Sequence, residues 1–242
     1  SSSLINNLHV IGNQLFFTAN DGIHGTELWT SDGTSSGTVL LKDINPGSAS
    51  TMFIKFLATN NRLYFSAVDP VYGLELWKSD GTVASTSMVK DIMPGAGDAA
   101  IHQFAQIGNT VFFQADNGVN GMELWKTDGT ANGTLMVKDI APCLSHSSPS
   151  ELISDGSFIY FRATTPDTGN ELWKSDGTSS GTILVKDIRP GSDSSSPNSL
   201  MSVGNFIYFK AVDDTNTPQF WRTDGTDEGT IILGAYSPIQ SA

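Results

Sequence analysis

Five tryptophans divide this chain into equal lengths. They are Trp29, Trp77, Trp125, Trp173 and Trp221, and each lies 48 residues after the one before it. Five such periods account for 240 of the 242 residues, so the repeat runs through the whole chain without an insertion. A fixed period of this length is typical of one supersecondary unit that is stacked several times.

The fourth copy shows how one unit is built. Four strands are predicted, over residues 151–154, 158–163, 171–175 and 182–188. The second of these is dense in aromatic and β-branched residues, and turns rich in Gly, Asp and Ser separate the segments. No segment has apolar residues at a period of 3.6, so we predict no helix.

Units of about 40 to 50 residues with four strands each are the sequence signature of propeller blades. We therefore predict an all-β fold, a five-bladed β-propeller with four antiparallel strands in each 48-residue blade. It would be a single domain over 1–242, with blades at about 1–48, 49–96, 97–144, 145–192 and 193–242. The competing architecture is a β-helix or solenoid, whose coils are usually shorter and need fewer antiparallel turns.

Closure of the predicted ring has two interpretations. The first copy would supply its inner strand and the last copy its outer strand, so no strand is exchanged to latch the ring. Closure then rests on packing between the first and fifth copies, or else the chain is a slice of a larger ring.

The motif of the repeat resembles a known family. Residues 171–178 read Glu-Leu-Trp-Lys-Ser-Asp-Gly-Thr, and Gly181-Thr182 and Val185-Lys186-Asp187-Ile188 follow. This pattern is similar to the ELWxxDGT repeat family of bacterial secreted and surface proteins, and the match covers the whole chain. The resemblance implies a repeat module of extracellular proteins and transfers no catalytic residue. The fifth copy departs from the pattern, with Gln219-Phe220 before Trp221, as terminal copies commonly do.

Two repeated positions are predicted to be structural. Each tryptophan would fill the wedge between neighbouring blades; the alternative is a ring of five aromatic platforms that stack on sugar. The aspartates that open the Asp-Gly-Thr turns would accept hydrogen bonds from backbone N–H groups two or three residues later. These aspartates are Asp32, Asp80, Asp128, Asp176 and Asp224. A calcium site in this turn is the alternative, although one carboxylate per loop supplies few of the six to eight oxygens needed.

Composition narrows the possible partners. The formal net charge of −12 disfavours nucleic acid and anionic membranes as partners. No apolar run is long enough to span a membrane, so we predict no membrane insertion.

The single cysteine, Cys143, excludes an intrachain disulfide; with His146 it makes half of a zinc site at best. The four histidines fall at different phases of the repeat. We therefore predict no catalytic residue, no metal and no cofactor.

The loops offer the remaining candidate site. Those that join strands two and three, and those that lead to the next copy, leave one face of the predicted disc and vary most between copies. The candidate binding residues on this variable face are Asp21, His24, Asp69, Tyr72, Asp116, Asp167 and Asp213.

These residues predict a non-enzymatic binding module of a secreted or cell-surface protein, whose partner is a protein or glycan at the cell surface. One alternative is a multivalent lectin with one sugar pocket per blade, although the loop aromatic Tyr72 has no counterpart in the other copies. The sequence is also compatible with a structural subunit of a larger extracellular assembly, or with a propeller hydrolase.

Overall fold

The computed structural model describes residues 4–142 and 145–235 and folds them into five four-stranded antiparallel sheets. Among these described residues there are strands and no helix, so the all-β prediction is confirmed. No long apolar helix suited to crossing a membrane occurs in the described ranges.

Each sheet is built from one copy of the repeat. The first two sheets contain β1 (Asn6–Ile11), β2 (Gln14–Asn20), β3 (Thr26–Ser31), β4 (Val39–Lys42), β5 (Phe53–Ala58), β6 (Leu63–Asp69), β7 (Gly73–Ser79) and β8 (Ser87–Lys90). The next two contain β9 (Phe104–Ile107), β10 (Thr110–Asp116), β11 (Met122–Thr127), β12 (Leu135–Lys138), β13 (Ser150–Ser154), β14 (Ile159–Thr165), β15 (Gly169–Ser175) and β16 (Ile183–Lys186). The fifth contains β17 (Asn198–Val203), β18 (Phe206–Val212), β19 (Pro218–Thr223) and β20 (Ile231–Ala235).

The strands of every sheet pair in chain order, and one register recurs. Phenylalanine lies opposite tryptophan on the two middle strands: Phe17 with Trp29, Phe65 with Trp77, Phe161 with Trp173 and Phe209 with Trp221. A shift of one residue would send every side chain to the other face, so the shared register places equivalent residues on equivalent faces.

The chain forms two compact units, and the first contains the first two sheets. In it, one side of the first sheet, which we call a covering face, presents Phe16, Leu28, Leu41 and Ile44. It packs on a receiving face of the second sheet that presents Leu63, Phe65, Ala67 and Trp77. Both faces of a sheet therefore carry apolar residues, and the tryptophan belongs to the receiving face.

The second unit contains most of the third sheet and all of the fourth and fifth. Here the receiving face of the fourth sheet, with Trp173, packs on Phe112 and Leu124 of the third. Its covering face, with Leu172, packs on the fifth sheet, where Trp221 is buried. Trp173 and Leu172 therefore lie on opposite sides of the third strand, as neighbouring residues of a strand do.

The fourth strand is shorter than predicted. The fourth copy was expected to continue its last strand through residue 188, whereas β16 ends at Lys186. The N–H of Ile188 instead donates to the carboxylate of Glu171, 3.2 Å away, so the backbone leaves the sheet after Lys186. A side chain thus replaces the ladder hydrogen bond that would have extended the strand.

The Asp-Gly-Thr turns have the predicted hydrogen bonds where they are described. In the fourth copy the Asp176 carboxylate accepts from the N–H of Thr178 at 2.8 Å and from its hydroxyl at 2.7 Å. Equivalent bonds occur at Asp32, Asp80 and Asp224. The Thr178 hydroxyl and N–H lower the pKa of Asp176, because both donors favour the ionised carboxylate.

Candidate functional site

In the first four copies a buried glutamate near the start of the third strand organises the end of the sheet where the variable loops lie. In the fourth copy Glu171 accepts from the N–H of Ser195 at 2.8 Å and from its hydroxyl at 2.5 Å, besides the N–H of Ile188. Glu171 is fully buried. We call the segment between the fourth strand of one sheet and the first strand of the next a connector; in the fourth copy it is residues 187–197. The Glu171 carboxylate therefore holds both ends of this connector.

The same arrangement recurs with informative differences. Glu27 binds Thr51 through a hydroxyl bond of 2.6 Å, and Glu123 binds Ser147 at 2.7 Å. In the second copy the equivalent residue is Ala99, and Glu75 has the backbone donors of Ile92 and Met93. Burial raises the pKa of all four glutamates, to about 7 for Glu75 and Glu171. Sequence reasoning missed this role, although the glutamate recurs in four copies.

Removal of one hydroxyl donor tests the role of these glutamates. Ser195→Ala is expected to lower the free energy of unfolding by about 1–3 kcal/mol, because it leaves the buried Glu171 with backbone donors alone. Ala99→Ser should give Glu75 the missing donor and lower its pKa. Urea unfolding measures the stability effect, and Ser180→Ala in an exposed turn is the control. Equal stability of Ser195→Ala and the control would contradict the role.

The connectors also join consecutive sheets through the backbone. In the first unit Thr51 N–H donates to the carbonyl of Thr26 at 3.0 Å, and Val68 N–H donates to Met52 at 2.9 Å. In the second unit Ser196 bonds Asn170, and Val212 bonds Ser195, at 3.0 and 2.8 Å. The connector therefore bridges the third strand of one sheet and the second strand of the next.

Glycine permits this close approach. A Cβ at Gly73 would overlap the carbonyl oxygen of Gly97 in the connector, and the φ of Gly73 is +72°. Gly25 and Gly169 meet their connectors in the same way. Positive φ and contact with another backbone both favour glycine, so its recurrence reflects the shape of this end of the sheet.

Asp21 and His24 form a compact pair within one variable loop. One Asp21 oxygen accepts from the N–H groups of Ile23 and His24, each at 2.8 Å. The other lies 2.6 Å from His24 Nδ1. These hydrogen bonds lower the pKa of Asp21 to about 2, and the Asp21 carboxylate raises the pKa of His24. The pair therefore shapes its own loop.

Three other candidate carboxylates also accept hydrogen bonds from N–H groups of their own loops. Asp69 accepts from the N–H of Val71 at 2.7 Å and that of Tyr72 at 3.1 Å. Asp116 accepts from Gly118 at 2.7 Å. Asp213 accepts from Thr215 and Thr217 and is nearly buried. Asp167 lies at an exposed loop position.

In the first three copies the exposed tips of these loops carry apolar side chains, whereas Asp167 and Thr215 take this position in the fourth and fifth. Ile23, Val71 and Val119 occupy one position of the repeat and are 68%, 63% and 66% exposed. In the first unit, the loops beneath Ile23 and Val71 are held by the aspartate bonds of Asp21 and Asp69. Their shared phase in the sequence could have revealed these tips, but the candidate residues were chosen for polarity.

No cluster of three or more potential metal ligands occurs in the described ranges 4–142 and 145–235. Cys143 of the weighed half-site lies outside these ranges. The Nδ1 atom of His146 accepts a hydrogen bond of 2.8 Å from the N–H of Met122. Ser50 and Ser194 accept the equivalent N–H groups in the first and fourth copies, so His146 is in a structural position.

The tryptophans are not equivalent. Trp77, Trp125, Trp173 and Trp221 are 5–8% exposed. Trp29 is half-buried and borders a cavity of about 230 Å³ with Ile5, Phe17, Ala19, Asn20, Asp21 and Thr38. Four of the five tryptophans are therefore buried, whereas Trp29 is half-buried beside a cavity.

No family model and no curated protein matches the sequence. Similar solved structures include a mutant of puromycin hydrolase in complex with PGG, with a TM-score of 0.50 and 13% identity, over 90% of this chain and 33% of that chain. A second puromycin hydrolase structure has a TM-score of 0.49 and 14% identity, over 86% of this chain and 33% of that chain. A protein assigned as TolB from Agrobacterium tumefaciens has a TM-score of 0.44 and 12% identity, over 96% of this chain and 81% of that chain.

This similarity concerns the fold alone. The chain spans about a third of the length of the puromycin hydrolase chains, and the identity is 13% for the first. The first of these structures is of a propeller-type protein, which agrees with an all-β repeat architecture. Puromycin hydrolase is an enzyme, so this architecture also occurs in enzymes. The resemblance to the ELWxxDGT family stays a prediction.

Proposed function

We propose that the five sheets are the blades of a five-bladed β-propeller and that the chain is a non-enzymatic interaction module. A protein partner binds the tips of the loops between the second and third strands. The observation that carries the proposal is the exposure of Ile23 and Val71 on loops whose backbone is held by Asp21 and Asp69. Apolar side chains on rigid loops lose little conformational entropy on binding, which favours a protein interface.

The internal carboxylates support a role without catalysis. Glu27, Glu75, Glu123 and Glu171 are fully buried, and each accepts hydrogen bonds from its own connector. Their raised pKa values arise from burial at a structural joint. Placement of the protein outside the cell, or on its surface, is part of the proposal and is supported by the resemblance of the repeat motif.

The lectin alternative has a narrower basis. Tyr72 is 40% exposed in its loop, and Trp29 borders a cavity that also includes Asp21. An aromatic ring beside a carboxylate is a chemistry suited to sugars. However, the other four tryptophans are buried, so they offer no repeated platform. A single sugar site in the first copy is the form of this alternative that the contacts favour.

Binder selection and site-directed variants test the proposal. The chain would be screened against arrays of surface proteins and of glycans, and each binder would be measured by calorimetry. Ile23→Ser with Val71→Ser should weaken a protein binder at least about tenfold, because exposed apolar side chains at the centre of an interface carry much of its energy.

Val83→Ser is the matched control, since Val83 is 60% exposed in the turn at the opposite end of its sheet. Binding that is lost in Val83→Ser and retained in the loop-tip variant would contradict the proposed surface. Recovery of glycans alone, with loss on Trp29→Ala, would favour the lectin.

A further inference from the structure

The first variable loop, residues 21–25 between β2 and β3, is held by a carboxylate that an imidazole holds in turn. Asp21 Oδ1 accepts hydrogen bonds from the N–H groups of Ile23 and His24, each at 2.8 Å. Asp21 Oδ2 lies 2.6 Å from His24 Nδ1. The His24 and Asp21 side chains are 37% and 22% exposed, so solvent protons reach the pair.

The loop between β6 and β7 has the same backbone bonds without the imidazole. Asp69 occupies the repeat position of Asp21 and accepts from the N–H groups of Val71 and Tyr72, at 2.7 and 3.1 Å. Tyr72 takes the position of His24 in this second loop. The chain therefore contains two versions of one loop, and one of them carries a titratable group beside the aspartate.

Glycine makes the first loop depend more strongly on its side-chain bonds. Gly22 and Gly25 flank the tip residue Ile23, with φ values of +85° and +72°. In the second loop Pro70 takes the position of Gly22 and fixes one backbone dihedral angle. A glycine backbone has more conformations to lose, so the first loop relies more on Asp21 to hold its shape.

His24 is the member of the pair that titrates near neutral pH. The hydrogen bond from Asp21 raises the pKa of His24 above 6.5, burial opposes the rise, and the charges of Asp21, Asp43 and Glu27 add to it. The pKa of Asp21 is lowered to about 2, so this carboxylate stays ionised. The contribution of the imidazolium is therefore fully present below pH 6.5 and is lost as pH rises through the raised pKa.

We propose that protonation of His24 latches the first variable loop, and that loss of this proton loosens the backbone around Ile23. A neutral ring can still donate from Nδ1, but a charge-assisted hydrogen bond is roughly twice as strong as a neutral one. A partner that needs Ile23 in a fixed position should bind more tightly at mildly acidic pH. This consequence rests on the proposed function, whereas the latch itself does not.

Amide hydrogen exchange, measured by NMR on the free 242-residue chain, tests the latch. The protection factor of the Ile23 amide should fall roughly two- to fivefold as pH rises from about 5.5 to about 8.5, as expected for an exposed ion pair. The protection factor of the Val71 amide should stay constant over the same range, because its loop lacks the imidazole. Equal responses of the two amides would overturn the inference.

His24→Tyr is the matched control, since tyrosine naturally occupies this position in the second loop. It should remove the pH dependence of Ile23 protection, although it retains Glu27, whose pKa is also raised by burial. Asp21→Asn should lower the pKa of His24, followed by its imidazole NMR signals, while the amide oxygen still accepts from the loop N–H groups. Persistent pH dependence in His24→Tyr, or an unchanged His24 titration in Asp21→Asn, would contradict the latch.

Binding measurements separate the latch from the proposed function. A protein that binds the loop tips should lose affinity by a similar factor over this pH range with the wild-type chain, but not with His24→Tyr. Failure to find any protein that binds the loop tips would contradict the proposed function alone, because exchange and titration are measured without a partner.

Discussion

Trp173→Ala is expected to lower the free energy of unfolding by about 3–5 kcal/mol, the usual cost of replacing a buried large side chain by alanine. Trp173 is 8% exposed and packs with Phe112, Leu124 and Phe161 in the second unit. The loss includes both the transfer of apolar area and the cavity that remains between two sheets. Urea unfolding, monitored by far-ultraviolet circular dichroism, measures it.

Trp29→Ala provides the comparison within the same chain. Trp29 occupies the same repeat position but is half-buried beside an existing cavity, so its removal should cost roughly 1–2 kcal/mol under dilute conditions. A loss as large as that of Trp173→Ala would show that the first sheet is covered in solution. Equally small losses for both variants would contradict the packing role of the tryptophans.

The chain should lose stability as pH rises from about 5 to 8. Burial raises the pKa of Glu75 and Glu171 from 4.5 to about 7, so the folded state binds protons that the unfolded state has released. The associated stability is fully present below the unfolded pKa and is lost as pH rises through the folded pKa. Each site contributes up to about 3 kcal/mol.

The variant Glu75→Gln with Glu171→Gln separates this effect from general repulsion in a chain of net charge −12. It should flatten the dependence of unfolding free energy on pH while leaving the fold intact, since Gln219 naturally occupies this position in the fifth copy. Guanidinium unfolding at several pH values measures the slope. An unchanged slope in the variant would contradict the assignment to these glutamates.

Much of the secondary structure follows from local chemistry that the sequence displays. The predicted strand 158–163 corresponds to β14 over Ile159–Thr165. It begins with consecutive apolar residues, and such a run is typical of a strand that is covered on both faces. Asp176 and Thr178 form their turn through bonds between residues two apart, which spacing alone predicts. Short-range geometry of this kind needs no knowledge of distant parts of the chain.

The candidate site was predicted less well because its contacts join residues far apart in sequence. The sequence places Glu171 in the repeat motif of a predicted strand, but its hydrogen bonds to Ser195 span 24 residues. Asp69 is a candidate binding residue in the sequence, yet its carboxylate accepts hydrogen bonds from the N–H groups of its own loop. Exposure of Val71 at the same loop depends on how that loop is folded.

The amino-acid sequence by itself determined the number of units, their length and the strands within each, because a period of 48 residues and the pattern along each strand are local properties. Only the tertiary structure decided which equivalent residues differ in environment. Trp29 and Trp173 are identical in type and phase, but one borders a cavity and the other is enclosed. Burial depends on whether a neighbouring sheet is present, and no single copy of the repeat contains that information.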